Sequence, residues 1–141
     1  MTGLTVRWHD EQLAVGLVPS SAAPVELGEA PIRARLSTAE GDTIVFAYRA
    51  TIDVETRTGA DLHIEGPFRA LEVQGPLDFS LTGILASLLA PLAEAEISVF
   101  TLSTFDTDWV LVPAALTGAA TSALTAAGHT VSAGAEYEES Q

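Results

Sequence analysis

The chain has no cysteine and no lysine among its 141 residues. Without cysteine there can be no disulfide, no thiolate nucleophile and no zinc site built on cysteine ligands. All six basic residues are arginines, whereas 19 residues are acidic, so the formal net charge is −13. An acidic surface repels phosphate backbones and anionic lipid. The composition therefore argues against nucleic-acid and membrane partners, and it favours solubility over an acidic docking surface.

A long hydrophobic run is also missing. The most apolar long stretch, residues 81–93, is too short to span a bilayer and contains a proline. The first residues, MTGLTVRWHDEQL, carry charges where a secretory signal needs an apolar core. We therefore expect one soluble, cytoplasmic domain. A chain of this length buries about 68–70% of its unfolded surface, so it can form a stable core without disulfides or a structural metal.

Motifs typical of enzymes are missing as well. His9, His63 and His129 are scattered and match no metal-ligand spacing. No G-x-S-x-G elbow, phosphate-binding loop or dinucleotide fingerprint occurs. His129 follows the helix-ending Gly128, which indicates a helix cap or a surface position. We therefore expect no catalysis, no cofactor and no metal.

Short apolar or alternating runs dominate the first half of the chain, which is typical of β-strands. In the run IRARLS, Ile32, Ala34 and Leu36 share one predicted face. Residues 19–31 are rich in Ser, Ala, Pro and Gly, so we expect a loop or a poor helix there. TIDVET, at residues 51–56, alternates as a strand does. Strands are expected at residues 4–8, 12–18, 32–37 and 43–48.

The second half alternates strands with two helices. Leucine and isoleucine recur at helical spacing between residues 81 and 92, which indicates a helix with one apolar face. Asp78 or Ser80 can cap its start, and Pro91 is expected to kink or end it. The alanine-rich residues 114–127 predict the second helix, which stops at a glycine. Strands are expected at residues 68–73, 97–102, 109–112 and 130–131.

The predicted element order of the second half is therefore β-α-β-β-α-β. This order requires an antiparallel sheet with both helices on one face, an α+β sandwich. The first half has comparable strands and a degraded helix, which is compatible with two pseudo-repeated halves. We expect a degenerate first half at residues 1–66, a second half at residues 67–132, and an acidic, flexible tail at residues 133–141.

The run GPLDFSLTGILASLLAPLAEAEISVFTLSTFDTDWVLVP, at residues 75–113, resembles the ACT-like domains of CASTOR-type arginine sensors and their small bacterial relatives. Its blocks GPLDFSLTG and ISVFTLSTFDTDWVLV are similar to the family's loop and hairpin and stand at the family's spacing. The first half resembles the family's degenerate N-terminal unit through QLAVGLVP, IRARLS and TIVFAY. The resemblance implies a ferredoxin-like ACT fold, with two ACT units side by side in one chain.

The same resemblance implies a regulatory or sensor module that binds an amino acid or a related metabolite and has no catalysis of its own. It also implies a homodimer and a regulated protein partner. Family ligands rest on the loop after the first strand and on the start of the hairpin's return strand. The corresponding residues here are Gly75, Leu77, Asp78, Phe79, Ser80, Ser103, Thr104, Asp106 and Asp108.

Elementary physical chemistry supports a ligand at these positions. A helix that begins near Ser80 offers free N–H groups and a positive dipole end to a ligand carboxylate. Asp108 can pair with an ammonium or guanidinium group. Leu81 stands where the arginine sensor carries a glutamate, which argues against arginine as the ligand. Structural alternatives stay open: Asp78 and Ser80 as helix caps, Asp106 as a turn residue, or an ACT-fold dimerisation or interaction module without a ligand.

Overall fold

A computed structural model of the chain describes residues 3–19, 27–58, 63–74 and 83–133. The chain divides into two compact units: unit 1 comprises residues 1–10 and 69–141, and unit 2 comprises residues 11–68. The division into ACT-like halves at residues 1–66 and 67–132 stays a prediction. Apart from Ala133, the tail expected at residues 133–141 lies outside the described residues.

Strands and helices alternate along the described residues. The helices are α1 (Thr51–Thr58), α2 (Ile84–Glu94) and α3 (Thr117–Ala126), with 3₁₀ turns at Tyr48–Ala50 and Ala114–Leu116. None of these described helices is long and apolar enough to cross a membrane. The strands are β1 (Thr5–Val18), β2 (Ala34–Thr38), β3 (Gly41–Ala47), β4 (His63–Val73), β5 (Phe100–Ser103), β6 (Asp108–Pro113) and β7 (Thr130–Ala133).

Unit 1 has the strand order β7-β1-β4-β6-β5. Strands β5 and β6 form an antiparallel hairpin, whereas β7 runs parallel to β1 with Thr130 opposite Thr5. The chain order β4-α2-β5-β6-α3-β7 confirms the predicted β-α-β-β-α-β unit and its ferredoxin-like α+β fold. The insertion of β1 between β7 and β4 was not expected from the sequence.

The core of unit 1 lies between its sheet and helices α2 and α3. Along β1 the side chains alternate, so Val6 and Trp8 point into this core. The indole Nε1–H of Trp8 donates to the hydroxyl of Thr121 in α3 at 2.9 Å, which satisfies the polar atom that the ring buries. The buried core residues are Val6, Trp8, Leu71, Val73, Leu88, Leu92, Ile97, Val110, Val112, Ala120 and Leu124.

Helix α2 continues through Pro91 to Glu94, so of the two expected effects of Pro91, a kink or an end, the end does not occur there. Proline has no N–H for the carbonyl four residues earlier, which belongs to Ser87. His129 takes over this hydrogen bond, because its Nε2 lies 2.9 Å from the Ser87 oxygen. His129 is only 6% exposed, so the surface position expected for it is wrong.

Unit 2 has the strand order β2-β3-β1-β4. Strand β3 pairs antiparallel with β1 and with β2. Where residues 19–31 are described, they contain neither helix nor strand, in agreement with the expected loop. The buried core of this unit consists of Ala14, Val18, Ile44, Phe46 and Val54.

Two sequence patterns in unit 2 are misleading. TIDVET, which alternates as a strand does, forms most of helix α1. The hydroxyl of Thr51 donates to the Tyr48 carbonyl at 2.6 Å, and Asp53 stands in the first turn, where an acidic side chain favours a helix. The apolar face predicted for β2 is not buried, since Leu36 is 54% exposed.

Candidate functional site

A cleft of about 460 Å³ opens in unit 1 beside the tip of the β5–β6 hairpin. Its volume is within the range of about 300–1,000 Å³ that is typical of small-molecule sites. Strands β1, β4 and β6 and the hairpin turn supply its walls. The lining residues are Arg7, Glu72, Gln74, Thr104, Asp106, Thr107 and Trp109.

The strand alternation of unit 1 places two charged side chains of this cleft on one face of the sheet. Arg7 lies between two core residues of β1, and Glu72 lies between two core residues of β4. Because successive side chains of a strand point to opposite faces, Arg7 and Glu72 project away from the core. Trp109 is 7% exposed and gives the cleft a well-packed aromatic wall.

Glu72 is the centre of a charged network behind the cleft. Its Oε1 accepts a hydrogen bond from Nε2 of His9 at 2.8 Å and lies 3.6 Å from Nη2 of Arg7. The imidazole of His9 also stacks on the indole of Trp109, with ring centroids 5.1 Å apart and an interplanar angle of 25°. One carboxylate oxygen therefore holds both a guanidinium and an imidazole in place.

The hairpin turn forms another wall of the cleft. The N–H of Thr104 donates to the carbonyl of Thr107 at 2.9 Å, which closes the turn. The hydroxyl of Thr107 donates to the Val73 carbonyl at 2.6 Å and ties the turn to β4. Asp106 is exposed in this turn and brings a second carboxylate to the cleft. With one guanidinium and two carboxylates, the cleft can receive a small ligand that carries groups of both charges.

Comparison with known families bears on this part of the chain. Residues 63–126 match the family model of the ACT domain. The match includes Glu72, the hairpin turn and Trp109, whereas Arg7 and His9 in β1 lie outside the matched residues. A search of curated proteins found no significant match to the sequence.

Solved structures share the fold of the chain. Protein Atu0741 from Agrobacterium tumefaciens is 23% identical, with a TM-score of 0.79, over 94% of this chain and 95% of that protein. The regulatory subunit of aspartate kinase from Thermus flavus is 12% identical, with a TM-score of 0.63, over 90% of this chain and 99% of the subunit. Aspartate kinase from Synechocystis is 16% identical, with a TM-score of 0.65, over 92% of this chain and 27% of the kinase.

Unit 1 brings together only some of the site residues predicted from the sequence. Thr104 and Asp106 line the cleft. Ser103 and Asp108 lie opposite each other in the hairpin, where the Ser103 hydroxyl donates to Oδ1 of Asp108 at 2.5 Å. Asp108 shares its face of β6 with the core residue Val110, so this pair lies on the other face of the sheet from the cleft. The remaining predicted residues, Gly75, Leu77, Asp78, Phe79 and Ser80, lie outside the described residues.

Sequence reasoning missed Arg7, His9 and Glu72 as members of a site. The only signal in the sequence is a charged or polar residue between core residues, as Arg7 is between Val6 and Trp8. That pattern indicates the open face of a sheet and leaves the neighbouring strand unknown. The ligand-binding role of the nine predicted residues stays a prediction.

The β2–β3 hairpin of unit 2 repeats the pattern found in the β5–β6 hairpin of unit 1. LSTAEGD, at residues 36–42, and LSTFDTD, at residues 102–108, share Leu-Ser-Thr, an acidic residue and a final aspartate. The register repeats as well, because the serine lies directly opposite the final aspartate in both hairpins. In unit 2 this aspartate is Asp42, which accepts a hydrogen bond from Arg35 at 2.8 Å. The repeat is a sequence signal for related hairpins in the two units.

Proposed function

We propose that this protein is a regulatory domain that binds a small metabolite with a carboxylate and an ammonium group, such as an amino acid, in the cleft of unit 1. The observation that carries the proposal is the convergence of Arg7, Glu72 and Asp106 on one cleft of about 460 Å³. A guanidinium binds a ligand carboxylate in a planar, two-pronged geometry, and a carboxylate pairs with an ammonium group. Trp109 supplies apolar contact area beside these charges.

The proposal includes the loop that was predicted from the sequence. Gln74 lines the cleft and directly precedes Gly75. We propose that residues 75–80 supply further ligand contacts, as the similarity to CASTOR-type sensors implies. The shared fold with the regulatory subunit of aspartate kinase from Thermus flavus supports a regulatory role. In this proposal the protein acts in the cytoplasm without catalysis, as a homodimer or through a regulated partner.

Two further observations support this choice of partner. The net charge of −13 disfavours nucleic acid and anionic membranes as partners. Across the part of the chain that the structure describes, no three side chains of the His, Asp or Glu type could hold a metal ion together. A metabolite that carries its own positive and negative group suits the cleft without a metal.

Thermal unfolding against a panel of amino acids and related metabolites tests the proposal. A ligand at about 100 times its dissociation constant stabilises the folded state by about 2.7 kcal/mol, which raises the melting temperature by several degrees. Trp109 lines the cleft, so its emission should report the same binding event. A panel that leaves both the melting temperature and the fluorescence unchanged would argue against a metabolite site.

A matched pair of variants assigns the effect to the cleft. Arg7→Gln should abolish the ligand-induced shift, because it removes the guanidinium that would hold the ligand carboxylate. Arg33→Gln makes the same change of charge at an exposed arginine of unit 2, whose guanidinium contacts the Gly28 carbonyl at 3.4 Å. This control should respond to ligand as the unmodified protein does. An equal loss of the ligand-induced shift in both variants would indicate a general charge effect and would contradict binding in the cleft.

The alternative function is an ACT-fold dimerisation or protein-interaction module that binds no metabolite. The exposure of Phe105 favours it, since 94% of this residue is accessible in the hairpin turn. Sedimentation velocity of the protein and of Phe105→Ser tests this alternative. A loss of self-association in the variant, together with a negative ligand panel, would support the interaction module over the sensor.

A further inference from the structure

We infer that His9 takes up a proton when the cleft binds a carboxylate, so that ligand affinity depends on pH. The inference rests on the proposed function of this cleft and concerns its regulation. It comes from the position of His9, which contacts two lining residues, Glu72 through a hydrogen bond and Trp109 through ring stacking. Histidine is the side chain whose charge ordinarily changes between about pH 5 and pH 8.

The charges of the lining residues explain why protonation of His9 should favour the binding of a carboxylate. With His9 neutral, the guanidinium of Arg7 faces the carboxylate of Glu72, and Asp106 adds a second negative charge. This arrangement opposes the entry of an anionic group. Protonation of His9 adds one positive charge directly behind the wall of the cleft. The sign is therefore clear: a carboxylate binds more tightly as the pH falls and His9 becomes charged.

Glu72 connects the protonation of His9 with the binding of a ligand carboxylate at Arg7. The same oxygen, Oε1, accepts the His9 hydrogen bond at 2.8 Å and lies 3.6 Å from Arg7. The closer contact is the one to His9, so an imidazolium can serve as the counter-ion of Glu72 when a ligand carboxylate draws the guanidinium of Arg7 toward itself. A bound anion in turn stabilises the imidazolium, and this reciprocity is the basis of the linkage.

The other charged groups beside His9 along β1 and β4 are engaged in contacts of their own. The guanidinium of Arg69 donates to the His9 carbonyl at 2.9 Å and to the carboxylate of Asp10 at 3.1 Å. Glu11, two residues further along β1, forms an ion pair with Arg49. Trp109, the neighbour from β6, has no titratable group. His9 is therefore the group that can give this wall of the cleft a charge that varies near neutral pH.

Isothermal titration of the full chain with acetate and with glycine, at about pH 6 and about pH 8 and constant ionic strength, tests the inference. Acetate is the simplest carboxylate, and glycine also carries the ammonium group. We expect binding to be about tenfold tighter at the lower pH, a coupling within the range seen between interacting sites. Repeating the titrations in two buffers of different ionisation enthalpy measures the proton uptake directly.

His9→Gln provides the decisive variant, because glutamine keeps a donor for Glu72 and cannot take a charge. It should still bind the probes, with an affinity that no longer changes between the two pH values. His63→Gln is the matched control, since His63 contacts Glu65 at 2.9 Å in the part of β4 that belongs to unit 2. This control should keep the full pH dependence. If His9→Gln fails to fold, as judged by circular dichroism, Glu72→Gln replaces it and should also reduce the pH dependence.

The outcomes separate the inference from the proposed function. Equal affinity at both pH values, or a pH dependence that survives in His9→Gln, overturns the proton linkage and leaves the cleft as a ligand site. A failure of acetate and of glycine to bind at either pH overturns the carboxylate site itself, and the linkage falls with it.

Discussion

The imidazole of His129 donates a hydrogen bond from Nε2 to the carbonyl oxygen of Ser87, at 2.9 Å. Its Nδ1 accepts the N–H of Leu4 at 3.0 Å, so the ring is neutral and carries its hydrogen on Nε2. Within helix α2 the Ser87 carbonyl would bond to the N–H of residue 91, and Pro91 has none. A buried side chain from outside the helix thus supplies the missing hydrogen bond.

We expect His129→Ala to lower the free energy of unfolding by about 3 kcal/mol. The substitution leaves the partly buried N–H of Leu4 and the partly buried carbonyl of Ser87 without the imidazole as partner, and each unsatisfied group costs about 1–3 kcal/mol. Urea denaturation followed by circular dichroism measures the change. A loss below the error of extrapolation would mean that water replaces the imidazole at both positions.

Pro91→Ala should reduce the cost of losing His129. The alanine restores an N–H that can bond to the Ser87 carbonyl, so the two substitutions are coupled through one acceptor. In a double-mutant cycle we expect His129→Ala to cost about 1 kcal/mol less in the Pro91→Ala background. Strict additivity of the two changes would show that the Ser87 carbonyl does not link them.

Arg35→Gln should destabilise the protein by about 2 kcal/mol, because it removes the cation that pairs with a buried carboxylate. Asp42 is 5% exposed, and its Oδ2 accepts the Arg35 hydrogen bond at 2.8 Å. Arg35 itself is partly exposed, which keeps the effect below that of a fully buried pair. Arg33→Gln, two residues away in sequence, is the control and should change the melting temperature little. Similar losses in both variants would point to net charge as the cause.

Two glycine substitutions should act in opposite directions. Gly118 lies in helix α3, and a Cβ added there meets no atom within 4 Å, so Gly118→Ala should raise stability by about 0.5–1 kcal/mol. A Cβ at Gly3 would lie 1.9 Å from the Gly128 carbonyl oxygen, so Gly3→Ala must displace backbone and should destabilise. Melting temperatures of the two variants check the signs. A stable Gly3→Ala protein would show that this close approach is not required.

Thr121→Val should lower the free energy of unfolding by about 1–2 kcal/mol, since it leaves the buried Nε1–H of Trp8 without its acceptor. Thr125→Val makes the same substitution at an exposed position of the same helix and controls for helix propensity. The emission of Trp8 should change in the first variant only. Equal effects of both substitutions would assign the loss to the helix and not to the hydrogen bond.

The fold of the second half was predictable because its signals are local. The spacing of leucines defines α2, and its buried residues Ile84, Leu88 and Leu92 follow that spacing. The continuation of α2 past Pro91 was not predicted, because the partner that replaces its hydrogen bond, His129, comes from a distant part of the chain. The sequence of TIDVET did not predict helix α1, because Val54 is the one buried residue among its six, and one buried residue fits a strand as well as a helix.

The residues of the candidate site also differ in whether local sequence could predict them. Thr104 and Asp106 were predicted, because both belong to a single hairpin whose sequence can be read locally. His9 and Glu72 are 63 positions apart and meet only through the pairing of β1 with β4. The residue pattern within a single strand does not show which strand lies beside it. The contacts of Glu72 with His9 and Arg7 could therefore be seen only in the structure.

The pairing of β7 with β1 has a consequence for biosynthesis. Leu4 and His129, which flank the start of this pairing, are 125 positions apart. At about 5–20 residues per second, a ribosome delivers the second partner on the order of ten seconds after the first. Strand β1 is thus made well before its partner β7, and until then the edge of β1 that faces β7 has no paired strand. Completion of the sheet of unit 1 therefore requires the synthesis of β7, and a ribosome stalled before residue 130 would leave exposed a strand edge that β7 covers.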